Sequence, residues 1–136
     1  MKRVDVEDRL RRFFEAEPSA AIAVYLYGSL ARGTARAESD ADVGVFFPQA
    51  PPRTLAGLPL RLEADLERLL GRRVQVVVLN AAPPDLTHRV LRDGKLLLDR
   101  DPAARIRFEV QARNAFFDLE PALREYRRYG TRRAAR

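Results

Sequence analysis

The chain has 136 residues, of which 46% are hydrophobic and 32% charged, and its formal net charge is +6. This length and apolar content predict one globular domain spanning residues 1–136. The sequence contains no apolar run of about 18 residues and starts with charged and apolar residues in alternation, so we expect neither a membrane span nor a secretion signal, but a cytoplasmic protein. Cysteine is absent, which excludes disulfides, thiolate metal sites and cysteine nucleophiles, and we expect any metal to bind oxygen ligands.

The first third of the chain predicts one helix followed by two strands. Val4–Glu15 places apolar side chains on one helical face before a proline closes the segment. Ala21–Tyr27 and Ala41–Phe47 are short apolar runs that end at glycine and at proline, respectively. Both runs are typical of buried strands.

The middle of the chain predicts a helix and a third strand after a loop rich in proline. Leu58–Arg73 has leucines at helical spacing, with Gly71 as the C-cap. Val74–Asn80 is an apolar, β-branched run and predicts the strand.

The last part of the chain predicts a short helix over Asp85–Gly94, headed by Asp85, and an edge strand over Lys95–Asp101. Asp101 and Pro102 are typical N-cap and first-turn residues of a long C-terminal helix, with a kink predicted near Pro121. Strands alternating with helices predict an α/β domain: a small mixed sheet packed with helices, mainly on one side, and a long C-terminal helix.

The positive charge is carried almost entirely by arginine, because Lys2 and Lys95 are the only lysines among 25 basic residues. Arginine suits phosphate, RNA or an acidic protein. Its even distribution along the chain favours a general compositional bias over a dedicated nucleic-acid surface, so we do not expect direct nucleic-acid binding.

The stretch YGSLARGTARAESDADVGV, Tyr27–Val45, concentrates polar groups between the first two strands. Gly28 and Ser29 follow a strand and precede a short helical pattern, so their N–H groups and the Ser29 hydroxyl can bind a phosphate. Asp40 and Asp42 are one residue apart at the next strand and face the same side. Two such carboxylates repel each other unless they share a cation, and a hard ion such as Mg²⁺ fits them.

The spacing of Gly28-Ser29, ten residues, then Asp40 and Asp42, framed by two apolar strands, resembles the motif of the polymerase-beta-like nucleotidyltransferase superfamily. The later segments VVVLNAAPPDLTHRVLRDGKLLLDRD and ARIRFEVQARNAFFDLEPALREYRR are similar to the minimal nucleotidyltransferase (MNT) antitoxins that pair with HEPN toxins. The resemblance covers nearly the whole chain and implies a single minimal nucleotidyltransferase domain with that fold.

The resemblance implies transfer of AMP from ATP to a tyrosine of a cognate HEPN RNase toxin. Asp40 and Asp42 would be catalytic and hold Mg²⁺, while Gly28 and Ser29 would bind the nucleotide phosphates. It also implies a hetero-oligomer with the toxin. Two alternatives remain open: neutralisation of the toxin by binding alone, and modification of a small molecule or RNA.

One residue departs from the superfamily pattern. A third carboxylate is usual in the later strand, where this chain has Gln75. Glutamine cannot take up a proton, and loss of a general base typically lowers a rate by a factor of about 10² to 10⁴. Glu38 or a partner could supply the missing group.

Other polar and aromatic residues are assigned weaker roles. Arg32 and Arg36 are interpreted as a solvated helix face, and His88 is given no role. Two hypotheses remain for the last helix: it closes the core, or it binds a partner through arginine and aromatic side chains. The side chains that would bind the partner are Phe117, Arg124, Tyr126, Arg127 and Arg128.

Overall fold

A computed structural model of the chain describes residues 2–33, 39–51 and 57–134. The elements in chain order are α1 (Arg3–Ala16), β1 (Ala23–Tyr27), α2 (Ser29–Arg32), β2 (Ala41–Phe46), α3 (Leu58–Leu70), β3 (Val74–Val78), α4 (Pro84–Asp93), β4 (Lys95–Asp99) and α5 (Pro102–Ala134). No helix within the described ranges is both long enough and apolar enough to cross a membrane.

The helix ends follow the predicted capping residues with one exception. Gly71 ends α3 in the left-handed conformation, and its N–H donates to the Glu67 carbonyl over 2.9 Å. Asp101 caps α5, because its Oδ1 accepts a hydrogen bond of 3.1 Å from the Ala104 N–H. Asp85 does not cap α4: Pro83 occupies the cap position and Asp85 lies in the first turn.

The four strands form one mixed sheet in the order β3-β2-β1-β4. β1 is antiparallel to both β2 and β4, whereas β2 and β3 are parallel. The parallel pair is possible because α3 returns the chain to the starting edge of the sheet. The predicted edge position of the fourth strand is confirmed.

Helices cover both faces of the sheet, so the prediction of cover mainly on one side is wrong. The larger core lies under α1 and α3 and includes Leu10, Phe14, Val24, Val43, Leu62, Leu66 and Val76. The opposite face packs against α4 and α5 through a smaller core with Tyr25, Leu79, Val90 and Phe108. The strands alternate between these two cores, since successive side chains point to opposite faces.

α5 continues through Pro121 as one uninterrupted helix. Its 33 residues span about 50 Å at 1.5 Å per residue. Two contacts fix its first half to the sheet: Phe108 stacks on Phe46 with ring centroids 4.3 Å apart, and the Tyr25 hydroxyl donates to Glu109 over 2.7 Å.

Candidate active site

Asp42 lies at the centre of the polar edge of the sheet. In the strand register it pairs with Tyr27 of β1 on one side and with Gln75 of β3 on the other. All three residues are on the face that α4 covers, because Val43 and Val76 beside them enter the opposite core. The end of β1 and the starts of β2 and β3 therefore bring together groups that are far apart in sequence.

These groups line a cavity of about 450 Å³ between the sheet edge and α4. The lining residues are Tyr27, Gly28, Ser29, Arg32, Asp42, Gln75, Val77, Leu86, Arg89 and Asp93. Three of the four predicted site residues, Gly28, Ser29 and Asp42, thus meet in one place. Asp40 precedes β2 at an exposed position and acts on this cavity through its charge.

Gly28 forms the turn that joins β1 to α2 and lies directly against Asp42. Its φ is +75° and its ψ is −153°, a combination that side chains with a Cβ rarely adopt. A Cβ at this position would overlap Oδ2 of Asp42 and lie 3.2 Å from its Cγ. Glycine is therefore required for the turn and the carboxylate to be adjacent. α2 starts at Ser29 beside this carboxylate, and the start of a helix offers N–H donors to an anion.

The surroundings of Asp42 disfavour the charged form of its carboxyl group. Burial is the main cause that raises its pKa, the negative charge of Asp40 raises it further, and Arg32 opposes both effects. A cation shared by the two carboxylates would remove the repulsion. Mg²⁺ is commonly held by one or two carboxylates plus substrate phosphates and water, so this pair fits such an ion.

No third acidic or histidine side chain completes a metal cluster in the described ranges. Gln75 pairs with Asp42 in the strand register, and its replacement of the carboxylate usual in the superfamily stays a prediction. It is exposed to the cavity. Its amide oxygen can bind a cation but cannot act as a base. Glu38, the suggested substitute, lies outside the described residues, as does Arg36.

Two arginines face the carboxylates from different elements. Arg32 is exposed, as expected for a solvated helix face, but it also lines the cavity and acts on Asp42. Arg89 of α4 lies across the cavity and was not predicted. In the described part of the chain Arg89 has neither a hydrogen-bond nor an ion-pair partner. Both guanidinium groups are thus available to a phosphate.

Asp93 and Tyr27 also line the cavity and were missed by the sequence analysis. Arg92 donates hydrogen bonds of 2.9 and 3.0 Å to the Asp93 carboxylate, and these bonds lower the Asp93 pKa. This carboxylate is therefore already paired. Burial and then the charge of Asp42 raise the pKa of Tyr27 to about 12, against the opposing charge of Arg89. The Tyr27 hydroxyl is therefore neutral at physiological pH and can donate a hydrogen bond.

Residues of α4 could have been assigned to one helix face from their spacing, because Leu86, Arg89 and Asp93 recur at helical intervals. The sequence does not say which edge of the sheet that face covers. His88 does not line the cavity and stacks on Phe116 of α5, with ring centroids 3.7 Å apart.

A family model described as polymerase beta, nucleotidyltransferase matches residues 8–103, which include every residue of the predicted site. The chain is 35% identical over 69 residues to "Putative protein adenylyltransferase MJ0435" of Methanocaldococcus jannaschii, a match that covers 51% of this chain and 71% of that protein.

Two solved structures show a similar fold. A chain in the crystal structure of a toxin-antitoxin with AMP-PNP matches with a TM-score of 0.72 and 22% identity, covering 96% of this chain and 98% of the other. A chain in the structure of a tri-AMPylated Shewanella oneidensis HEPN toxin in complex with MNT antitoxin matches with a TM-score of 0.69 and 19% identity, covering 98% and 99%. Because the family model spans most of the chain and the adenylyltransferase relative agrees with it, the chain belongs to the polymerase beta nucleotidyltransferase family.

Proposed function

We propose that this chain is a Mg²⁺-dependent antitoxin of the cytoplasm that transfers AMP from ATP to a tyrosine of a cognate HEPN RNase toxin. The observation that carries the proposal is the cavity in which the Gly28-Ser29 turn lies against the Asp42 carboxylate. The similarity to an adenylyltransferase and to a toxin-antitoxin with AMP-PNP supports the choice of ATP as donor. The similarity to a structure with an AMPylated HEPN toxin supports the acceptor.

The residues of the cavity suit a triphosphate. Ser29 and the first N–H groups of α2 would bind the terminal phosphates, which leave as pyrophosphate when the acceptor oxygen bonds to the α-phosphorus. Arg32 of α2 and Arg89 of α4, which both line the cavity, would balance the negative charge of the phosphates. Mg²⁺ held by Asp40 and Asp42 would supply charge neutralisation and lower the pKa of the attacking hydroxyl.

Proton removal is the weak step of this arrangement. The acceptor hydroxyl must lose its proton as the new P–O bond forms, and Gln75 beside Asp42 cannot accept it. The Tyr27 hydroxyl has a pKa of about 12 and stays protonated. A base from the partner or water must therefore complete the site, and we expect slow transfer.

The presence of Gln75 beside Asp42 favours a second candidate function. With Gln75 in place of a carboxylate and two acidic groups at the cavity edge, the chain could bind nucleotide without transferring it and inhibit the toxin by contact alone. In that case the antitoxin would be a stoichiometric inhibitor.

Removal of the antitoxin separates the two functions. The toxin is incubated with the chain, Mg²⁺ and ATP; the tagged chain is then stripped off under conditions that keep the toxin folded, and RNase activity is measured. An adenylyltransferase leaves the toxin inactive after removal, and only when ATP was present. If activity returns in full with ATP present, the chain inhibits by binding alone.

A further inference from the structure

α5 carries a line of exposed apolar side chains beside its packed face. Ile106, Val110 and Phe117 are 50%, 46% and 53% exposed, and their spacings of four and seven residues put them on one side of the helix. Phe108 and Phe116 lie on the packed face, against Phe46 and His88. Within the described chain, the Phe117 ring makes edge contacts with His88 and Phe116, with centroids 6.3 and 5.8 Å apart, but about half of each of the three apolar side chains stays exposed.

The same side of α5 continues with arginine. Arg113 lies between Val110 and Phe117 on this side, and Arg124 follows one helical repeat of seven residues after Phe117. We call Ile106, Val110, Arg113, Phe117 and Arg124 the α5 stripe. Arg124 is bonded to Glu120 over 2.6 Å, whereas Arg113 has no ion pair among the described residues.

Helix formation does not explain these apolar side chains. Ile106 and Val110 are β-branched and are weaker helix formers than the alanine, glutamate or lysine that an exposed position usually carries. Single exposed apolar residues are common, but an aligned set beside arginines is typical of a protein interface. The α5 stripe thus has the composition of a binding surface.

We propose that the α5 stripe is the docking surface for a protein partner that presents an apolar patch bordered by carboxylates. A second copy of this chain fits poorly, because each copy carries a net charge of +6 and parallel pairing would oppose Arg113 to Arg113. RNA would suit the arginines, but Phe117 is the one residue of the stripe with a ring on which a base can stack, whereas binding of single strands uses several such rings. The identification of the partner as the HEPN toxin rests on the proposed function.

The location of the stripe suits delivery of a macromolecular acceptor. α5 runs beside α4, which begins near Phe108 and meets Phe116 at His88. α4 also lines the active-site cavity, through Leu86, Arg89 and Asp93. A partner held on the α5 stripe would therefore be attached next to the helix that forms one wall of that cavity.

The test compares Ile106→Ala/Phe117→Ala with Leu60→Ala. Leu60 is 52% exposed on α3, which packs on the opposite face of the sheet. Leu60→Ala therefore removes a similarly exposed apolar side chain away from the α5 stripe. Calorimetry with the purified cognate HEPN toxin should show affinity at least about tenfold weaker for the double variant and unchanged for the control. Arg113→Glu should weaken binding as well, and thermal melting should show all three variants folded.

The outcomes separate this proposal from the proposed function. If the double variant binds and modifies the toxin as well as the unaltered chain does, the docking surface is wrong and the transfer reaction stands. If the unaltered chain binds without transferring AMP and the double variant does not bind, the docking surface stands and the enzyme is wrong. Failure of the unaltered chain to bind, self-association lost in the double variant, or RNA binding lost in that variant would each overturn the docking proposal.

Discussion

Gly28 and Asp42 constrain each other at the centre of the candidate active site. The turn needs a backbone conformation that favours glycine, and the carboxylate occupies the space that any Cβ would take. The contact explains why a glycine directly follows β1. It also makes position 28 sensitive to the smallest possible substitution.

We expect Gly28→Ala to lower the free energy of unfolding by at least about 2 kcal/mol, from backbone strain and the overlap with Asp42. Gly71→Ala is the matched control, because Gly71 has a φ of +67° and a Cβ added there would meet no atom within 4 Å. This control should lose only about 1 kcal/mol. Urea unfolding of both variants checks the prediction, which fails if their losses are equal.

The strained carboxyl group of Asp42 predicts a gain in stability when its charge is removed. Its folded pKa is raised above the unfolded value, so the folded state binds more protons in that pH range and stability falls as pH rises through it. Without metal and nucleotide, Asp42→Asn should therefore melt at a higher temperature at pH 7 than the unaltered chain. The difference should shrink below about pH 4, the ordinary range of an aspartate.

The same variant should lose Mg²⁺-dependent nucleotide binding, since the amide cannot share a cation with Asp40. Calorimetry with Mg²⁺ and ATP checks this loss. Asp65→Asn on α3 is a control, because Asp65 pairs with Arg68 and lies outside the cavity. Equal binding by Asp42→Asn and Asp65→Asn would contradict the site assignment.

Substitution of Gln75 tests whether an added carboxylate raises the rate of transfer. Its register position beside Asp42 means that Gln75→Asp would place a carboxylate at the cavity. We expect transfer to rise at least about tenfold, equivalent to about 1.4 kcal/mol of the barrier, because a base and a third ligand become available. Steady-state rates of AMP incorporation measure the effect, and an unchanged or lower rate would show that this position does not limit the reaction.

At the scale of the elements, α5 divides into a packed and an exposed half. The side chains described after Pro121, namely Ala122, Arg124, Glu125, Tyr126 and Arg128, are all exposed. The hypothesis that the last helix closes the core holds for its first half, through Phe108 and Phe116. The partner hypothesis for the second half stays a prediction, and Arg127 has no described side chain.

Truncation after Pro121 should leave the domain folded, because none of these side chains is buried. The melting temperature should change little, while affinity for the toxin should fall with the loss of Arg124. Melting curves and calorimetry on the truncated chain measure both effects. A truncated chain that unfolds would mean that the second half of α5 supports the core after all.

The elements themselves were largely predictable from local sequence. Gly71 and the Asp101-Pro102 pair determine helix ends through local backbone geometry. The four short apolar runs bounded by turn residues predict strands whatever the fold around them. The cover on both faces of the sheet was not predictable in this way. It depends on the direction in which α4 and α5 cross the sheet, which contacts such as Phe46 with Phe108 determine only after folding.

At the scale of the whole molecule, the candidate site combines local and distant contributions. Gly28, Ser29, Asp40 and Asp42 were found because they lie within one short stretch with a recognisable spacing. Arg89 comes from α4, which follows one further helix and one further strand, and nothing local marks it as part of the site. It was missed because only the folded sheet brings α4 over Asp42.

Transfer of the α-phosphate label from ATP to the toxin tests the central claim most directly. The toxin, the chain and Mg²⁺ are incubated with ATP labelled on the α-phosphate or on the γ-phosphate, and the toxin is then digested to locate the label. We predict that the α-label appears on a toxin tyrosine, that the γ-label does not, and that Asp42→Asn abolishes the transfer. Absence of α-label from the toxin, or equal labelling by Asp42→Asn, would contradict the claim that this cavity transfers AMP.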